Sequence, residues 1–327
     1  VIEEATNLAT NINRVREQIG VARDETQQSI QINVDEVNQI AAEIADLNKQ
    51  ITAVRAVNQR PGDLSDKRDL LLDRLSELVQ VKEVTTPDGA INVYLGGTAL
   101  VDRDRTNTIG LDKSGDTLSV VWKKDGGQAQ VRGGAINGQL TMFNTELPAA
   151  LTNVETLRNQ IMNSVNHVHR SGYGQNDPAG PPPNRNFFRV TASGDLQVVK
   201  AVADDPSLLA AASRPGEPGN AEQALAIANL KDKLTMNTGT ATIGDFYNAM
   251  VARIGGQSRT ASTTVANQDA LVQAVDRQRR QVSEVSLDEE AVNLVKFQQA
   301  YAAAARAMTA VDEMLNTIIN GMGMVGR

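Results

Sequence analysis

The chain has 327 residues, of which 41% are apolar and only 3% aromatic, and it carries a formal charge of −7 at pH 7. That acidity (pI ≈ 5.1), with no basic run and no aromatic stacking platform, argues against a nucleic-acid or anionic-membrane binder. Cysteine is absent, which removes disulfides, thiolate metal sites and thiol catalysis together. The length is sufficient for two or more domains.

No stretch approaches about eighteen continuous apolar residues, so no membrane span is expected. The opening VIEEATNLAT lacks the basic and apolar regions of a secretory signal peptide.

The first expected element is a long helix in two registers. Val1, Ala5, Leu8, Ile12, Val15, Ile19 and Ala22 form one row of threes and fours. Ile30, Val37, Ile40, Ile44, Leu47, Ile51 and Val54 form a second in a shifted register. The shift between Ala22 and Ile30 reads as a stutter, and Gly20 weakens the helix nearby or marks a turn. Arg60-Pro61-Gly62 ends the segment. Asp63 then suits the cap of a shorter helix carrying Leu71, Leu75 and Leu78.

Residues 83 to 134 change period. Ile91, Val93 and Leu95 alternate with polar neighbours after a Pro87-Asp88-Gly89 turn, which predicts a half-buried strand. Leu118–Trp122 and Ala129–Val131, on either side of Gly126-Gly127, predict two more. Helix resumes near Gly138, with Leu140, Leu147, Leu151, Val154, Ile161, Val165 and Val168 on one face and Pro148 set to kink or restart it. A Gly/Pro/Asn-rich loop covers 172–186. A hairpin follows, Phe187–Val190 with Leu196–Val199. Residues 206–220 read as a second loop with a short helical piece. From Ala221 the chain reads as helix to its end, with breaks near 237–239 and at Gly255-Gly256.

The last segment is the most informative. Ser286 followed by Glu289 forms a capping box, and Asp288, Glu289 and Glu290 place negative charge in the first turn, where the helix dipole favours it. Leu294, Phe297, Tyr301, Ala304, Met308, Val311, Leu315, Ile318, Met322 and Val325 then keep a period of about 3.5 residues. From Leu287 to Asn320 such a helix is roughly 50 Å long. Ala261, Leu271, Val275, Val282 and Val285 run into this row without a change of register, and a bend is expected near Ser286. Leu294, Phe297, Tyr301, Met308, Leu315 and Ile318 are the expected assembly face.

Several word-like segments resemble one family. DEE-x-x-NL-x-x-FQQAY followed by VDEML, at 288–315, is similar to the C-terminus of the flagellar hook-associated protein 1 (FlgK) family. NQRPGDLSDKRDLLLDRLSELVQVK (58–82), the Asn166–His169–Gly172 spacing leading to Phe187-Phe188, PGEPGNAEQALAIANL (215–230) and DFYNAMVARIG (245–255) match further segments in the same order. The resemblance implies a self-assembling structural subunit that links hook to filament. It also implies export without a cleaved signal, an extracellular flagellar location, and as partners its own copies, the hook protein, the next junction or filament protein and an export chaperone. Val1 already resembles the interior of the family's first coiled segment, so the family's N-terminal helix has no counterpart among these residues. Other axial proteins of rod, hook or filament share the Q-x-A-Y-x-A core, but the Asp63–Lys82 segment resembles the junction family alone.

Catalytic signals are thin. His167 and His169 point apart on a helix and suit a polar helix end. Asp63, Asp66 and Asp69 lack the glycine and terminal glutamate of a calcium loop. Gly172-Tyr-Gly174 and Gly321-Met-Gly323 lack the context of a phosphate loop. No G-x-S-x-G motif places a nucleophile, which weakens a surface hydrolase with a helical stalk. No catalytic residue, metal site or cofactor is expected. The expected fold is mainly α with a β-rich portion, of flagellar axial-protein architecture: helices over 1–82, a β-rich region over 83–135, helices with a hairpin over 136–285 packing on 1–82, and an axial helix over 286–327.

Overall fold

A computed structural model describes residues 1–217, 219–283 and 287–321, without the side chains of 280–283, 287–290 and 316–321. The chain divides into two units, Val1–Met250 and Val251–Arg327. The fold is mainly helical with small antiparallel sheets, as the patterning predicts.

The first unit is organised on α1, an unbroken helix over Ile2–Ala56. Gly20 does not interrupt it, since one helical glycine costs only about 1 kcal/mol relative to alanine. The stutter shows instead in which side is buried. Ile30, Val37, Ile40, Ile44 and Ile51 are all buried, whereas Leu8 and Val15 of the first row are exposed; Ile12 of that row is buried, together with Ala9 beside it. The helix stops at Asn58, not at Pro61. Asn58 has φ 55° and its N–H donates to Arg55 O at 2.9 Å, a left-handed end that asparagine tolerates. Helix α2 (Gly62–Leu78) then starts with Pro61 at its N-cap and no side-chain cap. Asp63 falls in its first turn.

The β region holds more strands than the alternation revealed. Strands β1 (Val81–Thr85), β2 (Ile91–Leu95), β3 (Thr98–Asp102) and β4 (Arg105–Thr106) form one antiparallel sheet in chain order. Strand β2 buries Ile91, Val93 and Leu95, the predicted alternation. Strand β6 (Thr117–Trp122) pairs with β5 (Ile109–Ser114) before it. The Ala129–Val131 segment expected as its partner forms no strand: the neighbouring Gln128 makes an isolated bridge to Val121, and Ala129 N–H donates to Val120 O at 2.8 Å.

The second helical column of this unit is continuous but irregular. Helix α3 (Gly134–Thr141) passes into a π turn (Met142–Glu146) and then α4 (Leu147–Arg170). Pro148 sits in the first turn of α4, where its missing N–H costs little. The wider π turn absorbs what the sequence suggested as a kink. Strands β7 (Phe188–Val190) and β8 (Leu196–Val198) make the expected hairpin. Helix α5 (Lys200–Asp204), a 3-10 turn at Pro206–Leu208, helix α6 (Glu222–Ala228) and a second 3-10 turn at Asn229–Asp232 follow. Helix α7 (Ile243–Ser283) runs through Gly255-Gly256 without the expected break. Helix α8 covers Leu287–Gly321. The bend expected near Ser286 falls outside the described residues.

Helices and strands of the first unit are joined by one repeated device. Asn13, Asn38, Asn48, Asn144 and Asn166 each point a side-chain amide at a strand, donating Nδ2–H to the carbonyl of one residue and accepting from its N–H. The respective partners are Leu196, Ile109, Ile91, Leu118 and Phe188, and the distances lie between 2.8 and 3.0 Å. An amide offers donor and acceptor side by side, which matches the N–H and C=O of one extended residue. Buried backbone groups next to a helix thereby stay satisfied.

Candidate assembly face and polar clusters

The expected assembly residues lie on α8, and the structure leaves those it describes open. Leu294 is 61% exposed, Phe297 75%, Tyr301 80%, Met308 74% and Leu315 48%. Ile318 lies in α8, but its side chain is outside the described set. Ser286 is outside it entirely, and of the capping pair only the backbone of Glu289, in α8, is described. Helix α7 is similar: Val251, Ile254, Val265, Leu271, Val272 and Val275 are exposed. Scattered surface apolar residues are ordinary, but a row of large side chains along a helix marks an interaction face. Two aromatic rings and a methionine on one stripe offer a large apolar contact area.

The histidine segment proves to be a structural joint. His169 is buried, with Nδ1 2.9 Å from Arg185 O and Nε2 accepting from Ala210 N–H at 3.1 Å. That pair fixes the neutral tautomer with its proton on Nδ1. Burial pushes its pKa below the ordinary histidine value; the hydrogen bond to Arg185 O only partly offsets this. One turn earlier, Asn166 Oδ1 also accepts from Phe187 N–H at 2.8 Å. Three residues on, Gly172 sits against Ala210, where a Cβ would come within 3.1 Å of the Ala210 side chain. The N-x-x-H-x-x-G spacing therefore pins the end of α4 to both following loops. Beside it Arg185 grips Asp177 with two guanidinium nitrogens, Nη1 at 2.9 Å, and that hydrogen bonding holds the Asp177 carboxyl below the usual range.

On α2 the charged form of Arg68 is disfavoured by burial and favoured by the charge of Asp69. Its guanidinium turns inward, donating to Asn48 Oδ1 at 3.1 Å and Gly89 O at 2.9 Å. Asp63, Asp66 and Asp69 stay on the helix surface or its edge. Among the described residues no group of three or more His, Cys, Asp or Glu side chains is arranged to hold a metal ion. No described helix is long and apolar enough to cross a membrane.

Exposed apolar rows on α7 and α8, and polar clusters that serve packing in the first unit, fit a structural protein. Residues 1–188 match the family model for the flagellar hook-associated protein FlgK helical domain. Residues 281–321 match that of the flagellar basal body rod FlgEFG protein C-terminal region. The chain belongs to the FlgK family of flagellar hook-associated proteins. It is 28% identical over 377 aligned residues to flagellar hook-associated protein 1 of Bacillus subtilis, an alignment covering 100% of this chain and 72% of that protein. Its identity to the Escherichia coli protein of the same name is 23%, over 91% of this chain and 72% of the relative. The fold is similar to that of the flagellar hook junction protein FlgK from Burkholderia pseudomallei, with a TM-score of 0.71, 16% identity, and coverage of 87% of this chain and 89% of that one.

Proposed function

We propose that this chain is a structural subunit at the junction of hook and filament, and that it joins its neighbours through the apolar row of α8. The observation that carries the reading is the open row Leu294, Phe297, Tyr301, Met308 and Leu315. Ile318 belongs to the same row by its spacing in the sequence. Copies of the chain pack through these helices into a ring or tube, with hook protein on one side and the next junction or filament protein on the other. The work is mechanical and no catalysis is assigned to it. Residues 286–327 act as the axial helix, and residues 1–82, 83–135 and 136–285 build the outer part. The protein reaches the cell exterior by the flagellar export route with a chaperone.

The match over 281–321 alone also suits a rod or hook subunit. The match over 1–188 favours the junction. Deletion of the gene separates the two. A junction subunit leaves complete hooks without filaments and flagellin released into the medium. A rod or hook subunit leaves no complete hook, and normal filaments on the deletion strain exclude both.

A further inference from the structure

The apolar side chains of the Val1–Met250 unit form two separate cores, threaded by the same two helical columns. One gathers Ile30 to Ala45 of α1, the strands of the β region, Ile136 and Phe143. The other gathers Ala9 and Ile12 of α1, Val154, Leu157 and Ile161 of α4, Phe187 and Phe188. Between them α1 buries no side chain from residue 13 to residue 29, and the second column buries none from 144 to 153.

At that neck the second column leaves the regular α-helix, while α1 stays helical but carries a glycine. In α1, Gly20 has open space around it, since a Cβ there would meet nothing within 4 Å. Thr26 Oγ1 bonds back to Ala22 O at 2.7 Å, a contact that tends to bend helices. The second column carries its π turn there, with Pro148 just beyond. Polar contacts join the two columns here, beside half-buried apolar residues such as Ala22, Leu147 and Leu151. The Arg23 guanidinium lies 4.5 Å over the Phe143 ring and its Nη1 is 3.6 Å from Asp116. Gln139 donates to Ser29 Oγ at 2.7 Å and accepts from Asn33 Nδ2 at 2.9 Å.

We propose that the Val1–Met250 unit bends at this neck, with Gly20 and the Met142–Glu146 turn as its compliant points and the Arg23–Phe143 contact as the latch. Bending two parallel columns requires one to change length relative to the other. A π turn supplies that slack by exchanging i→i+5 for i→i+4 hydrogen bonds. Glycine lowers the stiffness of the first column at the matching level. A packed apolar neck would resist such motion, because close-packed cores switch between discrete arrangements and do not yield gradually. A neck where half-buried side chains meet through contacts such as the Arg23–Phe143 pair and the part-buried Gln139 hydrogen bonds opens at lower cost than a close-packed core.

The absence of cysteine makes the test direct, because label pairs can be placed without background. Spin labels on Gln39→Cys and Gln197→Cys report across the neck. Pairs at Gln39→Cys with Lys82→Cys, and at Asn159→Cys with Gln197→Cys, report within each core. The cross-neck pair should give a broader distance distribution than either control. Gly20→Ala should narrow it and Arg23→Ala should broaden it, while the within-core distances stay unchanged. A cross-neck distribution as narrow as the controls overturns the proposal. So does a broad one that neither substitution alters, since its width would then arise elsewhere.

Discussion

The side-chain amide of Asn48 closes a two-way hydrogen-bond pair with the backbone of Ile91, donating to its carbonyl at 2.8 Å and accepting from its N–H at 3.0 Å. Asn48 is 1% exposed, and it also reaches Arg103 O at 2.7 Å and takes a bond from Arg68. One residue in the middle of α1 thus holds the start of β2, the β3–β4 turn and a buried arginine. Losing it strands several buried polar groups at once, each costing about 1–3 kcal/mol.

Asn48→Ala should therefore lower unfolding stability by about 2–4 kcal/mol, read as a fall in denaturant midpoint at constant m-value. Asn7, an exposed asparagine on the same helix, is the control. Asn7→Ala should stay within about 0.5 kcal/mol of the parent.

Two glycines should respond oppositely to alanine. Gly134 has φ +69° at the start of α3, and a Cβ there would lie 2.5 Å from the backbone carbonyl of Leu78. Gly134→Ala combines left-handed strain of about 1–2 kcal/mol with that clash. Gly20 is helical with open space, so Gly20→Ala should stabilise by up to about 1 kcal/mol. Thermal melts of the two variants decide this by their opposite shifts.

His169 should make the first unit acid-sensitive well above the carboxylate range. Its pKa is lowered by burial in the folded state from an ordinary 6.5. The unfolded chain therefore binds the proton more readily, and stability falls as pH drops below about 6.5. Protonated Nε2 can no longer accept from Ala210 N–H. Stability measured between pH 7.5 and pH 5 should decline in the parent. His169→Gln should be less stable at pH 7.5 and show a flatter profile, because the titrating group is gone. An equal slope in both proteins would remove His169 as its source.

The helical columns and the strand β2 were legible because their burial follows a simple period. The half of α1 around Ile30–Ile51 packs on one side only, so spacing and burial agree. Near Leu8 and Val15 they do not, since those residues keep the period but α4 and the hairpin approach a neighbouring face. Strands β1 and β5 were missed because charged Lys82, Glu83, Asp112 and Lys113 sit on open faces, where alternation leaves no apolar mark. In β3 the adjacent buried Leu100 and Val101 break the alternation, and β4 is only Arg105–Thr106. Gly255-Gly256 misled because two glycines weaken a helix without forbidding it. The asparagine pairs were partly visible: Asn48 falls on the apolar stripe between Ile44 and Ile51, where a polar residue needs a partner. Asn144 likewise falls between Leu140 and Leu147. Asn13, Asn38 and Asn166 sit beside their stripes, and only the fold shows which strand each meets.

The central claim is that the α8 row joins subunits and does not complete a single chain. Phe297 and Leu315 are 75% and 48% exposed, so an aspartate at either should leave the melting of the free subunit unchanged. In an assembled, desolvated helix interface the same charge costs several kcal/mol. The most direct measurement places Phe297→Asp and Leu315→Asp in the deletion strain and scores filaments on hooks, beside melts of the purified proteins. The account predicts unchanged melts and bare hooks. Normal filaments and motility from both variants would contradict it.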